Sequence, residues 1–324
     1  DIISAEPLSE ELIRDLLSGS DITGAIDQRP SRLVIDPGQR NEEDIKRYPL
    51  IYSRLQEKVL PSRSKIKDAA KRKYWWRFAG SSAALYKSIK DLSNCIACSR
   101  VTKHVIFQIV PTQSDRGPVV FDESVVVISW DDFFHFGCLQ SSLHSLWVMR
   151  WGSKMGNTQR YTPTEVLETF PFPPSDVNGD IASTAESYFN YRQEILANRE
   201  IGLTELYNSV HDSSIDWEDI TAFRSLQVEL DLAMFRSFGL GGIDAGHGFF
   251  DVPYLPENDR VRFTLCDAAR TEVLQRLLDL NNRLVTIDAV DGNGSSIRGA
   301  AKRGRRQKVD SSTPLLDLFS GDGT

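Results

Sequence analysis

The chain has little of what most directly announces a function. Four cysteines in 324 residues (Cys95, Cys98, Cys138 and Cys266) are too few for a disulfide scaffold and point to a reducing, cytoplasmic setting. No run approaches the roughly 18 apolar residues of a membrane helix, and the acidic N-terminus is unlike a signal peptide, so no membrane partner is expected. The first residue is Asp1 rather than Met, which suits a fragment or a processed chain. GxSxG, HExxH and P-loop motifs are missing, and no glycine-rich cofactor loop follows a strand. Nor is there an Asn/Asp-Pro-Pro-aromatic tetrapeptide of the kind that holds a flipped adenine. No internal repeat occurs, and the chain on its own shows no catalytic centre.

What is present is unevenly distributed. A length of 324 residues allows two domains and a sizeable core. The net charge of −7 argues against a nucleic-acid partner until its distribution is considered. Between Arg54 and His104 there are thirteen Lys/Arg against three Asp/Glu, a local excess of +10 that leaves −17 for the rest. That asymmetry suits one face built for a polyanion on an acidic body. The plainer reading is a solvated basic helix.

Residues 1–60 read as a connector region. "PLSEELIRDLLSG" has the pattern of a short amphipathic helix stopping at Gly19, "SRLVIDPG" of a strand ending in a turn, and "EEDIKRYPLIYSRLQEKVLP" of helix on both sides of Pro49. "HVIFQIV" and "SVVVIS" predict strands, and Phe136, Leu139, Leu143, Leu146 and Trp147 predict a helix ending near Gly152. Two apolar stripes predict later helices: Phe223, Leu226, Leu230, Met234 and Phe238, then Val273, Leu274, Leu277, Leu278 and Leu284. "FGLGGIDAGHG", between them, reads as a helix C-cap and flexible connection rather than a cofactor loop. "QRYTPTEVLETFPFPPSD" predicts a capping box (Thr162 as cap, Pro163 first, Glu165 third) on a helix that cannot pass Thr169. Phe170 and Phe172 are then expected to pack inward, with Arg160 and Tyr161 facing a partner.

The basic–aromatic run "KRKYWWRF" is the strongest compositional signal. Lys71, Arg72, Lys73 and Arg77 can neutralise phosphates, while Tyr74, Trp75 and Trp76 can stack on bases or pack underneath. Helical neighbours differ by about 100°, so one tryptophan can be buried while the other is not; at least one is expected to be structural. "SRVTKHVIF" places Arg100, Thr102 and His104 on one side of an extended segment and Val101, Lys103 and Val105 on the other. Such alternation suits base edges or phosphates, and equally an ordinary exposed strand face. Cys95 and Cys98 form a CxxC with no second pair, so two small buried hydrophobes are favoured over zinc, and no metal site is assigned. His144 and His211, without evident partners, are expected to be structural.

The order "RLVID…RYPLIYSRLQEKVLPSR", "YWWRFAG…ALYKSIKDL", "RVTKHVIFQIVP", "SSLHSLWVMRWGS" and "RYTPTEVLETFPFP" resembles the C-terminal half of large adenine-specific DNA methyltransferases. These are the type IIG-like restriction–modification enzymes and the methyltransferases of phage-defence systems such as DISARM and BREX. The resemblance covers roughly Ser31 to Pro174. It implies an α/β target-recognition domain with a short mixed sheet, over 61–175. A mainly α-helical C-terminal region (176–290) and a flexible basic tail (291–324) are expected beyond it. It also implies sequence-specific binding of double-stranded DNA for an N-terminal methyltransferase domain that this chain lacks. S-adenosylmethionine belongs to that missing domain, so no catalytic or cofactor-binding residue is assigned here. Phosphate contacts are expected from Arg63, Lys71, Arg72, Lys73 and Arg77. Base or near-base contacts are expected from Arg100, Lys103, His104, Ser153, Lys154 and Arg160. Other defence-system subunits are further partners implied by the resemblance. The alternative is an interaction module that docks a nuclease or helicase and has little DNA affinity of its own.

Overall fold

The segment read as one amphipathic helix stopping at Gly19 divides in two in the computed structural model, which describes residues 2–78, 83–155, 158–174, 178–252 and 255–290. After a short helix α1 (Ile2–Ala5), Pro7–Leu12 forms a 3-10 turn and Ile13–Leu17 forms strand β1. Pairing decides the matter: β1 runs antiparallel to β2 (Arg32–Ile35) and parallel to β8 (Val120–Phe121), and those ladders override a helical pattern. Gly19 opens helix α2 (Gly19–Gly24) instead of ending one, behind a capping box made by Ser18 and Asp21. A Cβ at Gly19 would lie 2.7 Å from the Ser99 hydroxyl and 3.0 Å from the Ser124 carbonyl, so a side chain there would have to displace its neighbours.

The expected helices on both sides of Pro49 are α3 (Glu42–Lys46) and α4 (Pro49–Lys58). They are followed by α5 (Leu60–Arg63), α6 (Ala69–Lys73) and α7 (Ala83–Ile89). Leu12, Ile13, Ile45, Ile51 and Leu55 form a satellite core with both Trp75 and Trp76. The two tryptophans are thus buried together. They lie beyond the end of α6 in a turn, where the helical 100° offset no longer separates neighbours.

A second sheet has the order β5 (Phe107–Pro111), β3 (Asn94–Ser99), β9 (Val125–Ile128), all antiparallel. Central β3 is buried from Cys95 through Ser99, the mark of a strand covered on both faces. Cys95 and Cys98 are core residues of this strand, and burial pushes the Cys95 thiol up to about 12. Among the described residues no group of His, Cys, Asp and Glu is placed to hold a metal ion. Between these strands lie β4 (Val101–Thr102) and the hairpin of β6 (Gln113–Ser114) and β7 (Gly117–Pro118).

The helix expected up to Gly152 is two: α8 (Phe133–Gln140) and α9 (Ser142–Trp151), each with its own N-cap, Asp132 and Ser141. The hairpin β10 (Lys154–Met155) and β11 (Thr158–Arg160) leads into α10 (Pro163–Val166). The capping box predicted there does not form. Thr162 meets the Ser153 hydroxyl at 3.0 Å, and Glu165 accepts the Ser153 backbone N–H at 3.2 Å. The bonds of the predicted box are spent on holding the preceding turn. Phe170 is fully buried, edge-on to the rings of Trp147, His144 and Phe238, and Phe172 packs against Trp130.

The C-terminal part is mainly helical: α11 (Asn178–Arg199), α12 (Leu203–His211), α13 (Glu218–Ser237) and α14 (Asp267–Val290). Gly239 caps α13 at φ +67°, as the glycine-rich stretch suggested. Its last residue, Gly248, however, opens β12 (Gly248–Asp251), paired with β13 (Val261–Thr264), a hairpin the loop reading missed. One main core runs from Leu17 to Leu278 and includes residues of α8, α9, α11, α13 and α14. The expected basic tail, 291–324, lies outside the described residues.

Candidate nucleic-acid interface

Four of the five predicted phosphate-binding residues, Arg63, Lys71, Arg72 and Lys73, fall on a segment that only touches the satellite core, through Leu60. From Leu60 to Tyr74 no residue is buried, yet the segment carries Arg63, Lys65, Lys67, Lys71, Arg72 and Lys73. Among the described residues none of these six makes an ion pair. Asp68, the acidic residue of the segment, is spent on capping α6, accepting the backbone N–H groups of Ala70 and Lys71. Those bonds, led by the one from Lys71, hold its carboxyl below the usual range. Arg72 braces the turn before α6 by donating to the carbonyls of Ile66 (2.5 Å) and Lys67 (2.8 Å). The segment is fixed at both ends, by α4 on one side and by Trp75 and Trp76 on the other. Lys65 and Lys67 were not singled out from the sequence, although the same charge run contains them.

Arg77 differs from the others. It is half-buried and donates from Nη1 and Nη2 to the side chain (2.8 Å) and carbonyl (2.9 Å) of Gln39. Gln39 belongs to the Pro-Gly turn after β2, a partner that sequence separation hides.

The predicted base-contact residues are brought together by a small sheet of order β10-β11-β4. Lys154 pairs with Gln159, Gln159 with Thr102, and Arg160 with Val101. Lys154 and Arg160 are exposed, and Ser153 is half-buried at the hairpin's base. Gln159 stitches that base from within, donating to the carbonyls of Val148 (3.2 Å) and Ser153 (3.0 Å). Arg100 lies beside β4, its Nε donating to the Glu123 carbonyl at 2.7 Å. Met155, 57% exposed on the same hairpin, is a large apolar side chain that charge-based reading passed over.

Two expectations fail because the side in question faces the core: Thr102 and His104 are buried while Lys103 between them is exposed, and Tyr161 is buried directly after exposed Arg160. His104 turns inward to 6% exposure, and Tyr161, expected to face DNA, is 1% exposed. Tyr161 bonds the buried His144 through its hydroxyl at 3.0 Å. His104 bonds the Asn208 amide oxygen at 2.9 Å, which places its hydrogen on Nε2. Burial lowers the His104 pKa to about 4, against the favourable Asn208 bond, so it carries no charge for a phosphate. Its ring centroid is 5.2 Å from that of His211, whose Nδ1 accepts the Phe263 N–H at 3.2 Å; burial lowers the His211 pKa as well. Lys103 points outward, but its ammonium is held by Asn208 (2.8 Å) and Asp259 (3.0 Å). Asp259 is itself paired with Arg262. His104 and Lys103 therefore join β4 to α12 and the β12–β13 hairpin.

A family model described as "MmeI, target recognition domain" matches residues 1–174. No curated protein matches the chain. Among solved structures, the chain is similar to the type IIL restriction–modification enzyme MmeI, solved in complex with DNA. The two share 18% identity and a TM-score of 0.60, over 88% of this chain and 32% of that one. At this identity the likeness is one of fold, and this chain spans about a third of that enzyme's length. The mixed α/β architecture, with its small sheets and helical C-terminal part, is the fold that the sequence led us to expect. The likeness read from "RYTPTEVLETFPFP" and the motifs before it is likewise borne out, and the chain belongs to the MmeI target-recognition-domain family.

Proposed function

We propose that this chain grips and reads duplex DNA as the target-recognition part of a larger restriction–modification enzyme. The observation that carries the reading is the run Leu60–Tyr74: six cations, no buried residue and, among the described residues, no ion pair for any of the six. A surface where six cations face a single carboxylate, Asp68, is suited to a polyanion, and phosphates supply affinity without regard to sequence. The β10-β11-β4 sheet, with Lys154, Arg160 and Ser153 on or beside its hairpin, supplies the reading side chains. Arg100 lines the next strand, and Lys103 reaches the same edge if Asp259 releases it.

The finer reading is of an adenine N6-methyltransferase in restriction–modification or phage defence, acting in the cytoplasm. S-adenosylmethionine and the flipped adenine would sit in a separate methyltransferase domain. Flipping costs a few kcal/mol, which contacts from this chain would offset. No residue of this chain is assigned to the cofactor. Among the described residues no helix is long and apolar enough to cross a membrane.

The test is a salt titration of binding to duplex DNA. Wild type should show a steep decline of log K with log salt, and Lys71→Ala/Arg72→Ala/Lys73→Ala should flatten the slope by roughly 2–3. Lys154→Ala and Arg160→Ala should instead reduce discrimination between sequences, by about 1–3 kcal/mol for a lost base contact. Absence of binding at low salt would overturn the reading and favour a protein-docking module.

A further inference from the structure

Tyr74 is the aromatic of the basic–aromatic run that the fold leaves in solvent, at 37% exposure, while Trp75 and Trp76 are buried. An exposed ring among cations suggests a platform for a nucleobase. Its surroundings suggest another use. The Arg77 guanidinium carbon lies 4.3 Å from the ring centroid and the Lys73 ammonium 5.3 Å, both within cation–π range. The Trp76 ring stands edge-on to it at 5.8 Å.

Arg77 is anchored a second time by the turn that follows β2. There Gly38 adopts φ +60°, its N–H donates to the Asp36 carboxylate at 3.0 Å, and Arg40 N–H reaches the Pro37 carbonyl at 3.3 Å. This turn receives both Arg77 bonds at Gln39 and the Trp76 indole N–H at the Arg40 carbonyl, 3.0 Å away. A guanidinium has five N–H donors; Gln39 takes two and Nε is buried, so the second N–H of Nη1 and that of Nη2 remain for an anion. Lysine and arginine have large rotamer freedom, and ordering them before binding removes a cost that association otherwise bears.

We propose that Tyr74 is a positioning residue for DNA binding: its ring presets Arg77 and Lys73 toward backbone phosphates, and it does not stack on a base. The inference rests on the DNA-binding reading above. It assigns the exposed tyrosine to affinity rather than to recognition.

The experiment measures the affinity of the full chain for a mixed-sequence DNA duplex across salt concentrations. The variants are Tyr74→Leu, Tyr74→Phe, Arg77→Ala and the double variant Tyr74→Leu/Arg77→Ala. Tyr74 belongs to neither buried cluster, so these proteins keep their fold, which a thermal melt checks. Tyr74→Leu should bind about three- to fivefold more weakly and with a salt slope shallower by about one. Tyr74→Phe, which keeps the ring, should match wild type. In the Arg77→Ala background the leucine substitution should cost little more, because the two residues act as a unit. Salt-dependent wild-type binding with Tyr74→Leu unchanged would sink the positioning role of Tyr74 alone. A loss with unchanged salt slope, additive with Arg77→Ala, would mean base stacking and overturn the proposal. No binding by wild type would overturn this inference together with the reading on which it rests.

Discussion

At the residue scale the buried histidines make the clearest forecast. His144 is fully buried among Phe107, Tyr161 and Phe170, with Nε2 bonded to the Tyr161 hydroxyl and Nδ1 without a partner among the described residues. Burial lowers its pKa to about 3, and that of His104 to about 4. An unfolded histidine takes up its proton near pH 6.5, while these two stay neutral in the folded chain until far lower pH. The unfolded state therefore binds more protons in that window. Stability should be flat above about pH 6.5 and fall as pH drops, by about 1.4 kcal/mol per unit for each histidine. The double variant His144→Phe/Tyr161→Phe removes both bonding partners and should be nearly neutral at pH 7. Denaturant melts between pH 4.5 and 6, on the order of the window just derived, should show its pH slope reduced by one histidine's share. An unchanged slope would refute the assignment. The single variant His144→Phe leaves a buried hydroxyl unpaired and should cost about 1–3 kcal/mol. That His144 and His211 are structural was legible from the absence of partners in sequence. The burial of Tyr161 was not, because the sequence does not say which side of the strand the core covers.

At the scale of elements, close packing around α8 sets a limit that the sequence does not advertise. A Cβ on Gly137 would lie 2.8 Å from the Ala185 methyl and 2.9 Å from Ile181 Cγ2, both on α11. The third neighbour, Leu230 of α13, is 3.3 Å away. Gly137→Ala should gain about 0.8–1 kcal/mol in helix propensity but lose about 1–3 kcal/mol to overpacking. The net is destabilisation, which a thermal melt will show; an unchanged or raised midpoint would mean that α8 and α11 part freely. Elements whose pattern is internal were readable: the α13 stripe, the strands in "HVIFQIV" and "SVVVIS", and the helices around Pro49. Elements made by pairing were not. Ile13–Leu17 looks helical until β2 and β8 claim it, and Gly248–Asp251 looks like loop until Val261–Thr264 lies beside it. The candidate site divides the same way. Its cations stand out as a charge run in sequence, whereas the register that sets Arg160 beside Val101 is a product of the sheet.

For the whole molecule, the question is whether the recognition part can stand without the helices that follow it. The family match ends at residue 174, but the main core does not. Asn281 on α14 donates to the Thr169 carbonyl at 2.5 Å, and Asp231 on α13 accepts the first backbone N–H of α9, from Ser142, at 2.7 Å. Arg192 on α11 is fully buried and reaches back to the Phe107 carbonyl (3.0 Å) and the Gln108 side chain (2.5 Å), with its guanidinium over the Phe136 ring. Among the described residues it meets no carboxylate there; neutral oxygens and aromatic faces surround its charge. Cutting the chain after Pro174 would remove Ile181, Ala185, Leu230, Met234 and Leu277 from the core and open Phe107, Phe136 and Trp147 to water. Full burial of one such side chain is worth about 1.5–3 kcal/mol, and a whole domain is stable by only about 5–15 kcal/mol. Several such losses exceed that margin. A chain of residues 1–174 should therefore lack a cooperative thermal transition and the near-ultraviolet circular dichroism of packed tryptophan, while residues 1–290 retain both. The basic segment rests on the satellite core, so the short chain should still show weak, strongly salt-dependent attraction to DNA while losing discrimination between sequences. Cooperative unfolding of residues 1–174 together with intact discrimination would show that the helical part is dispensable for recognition.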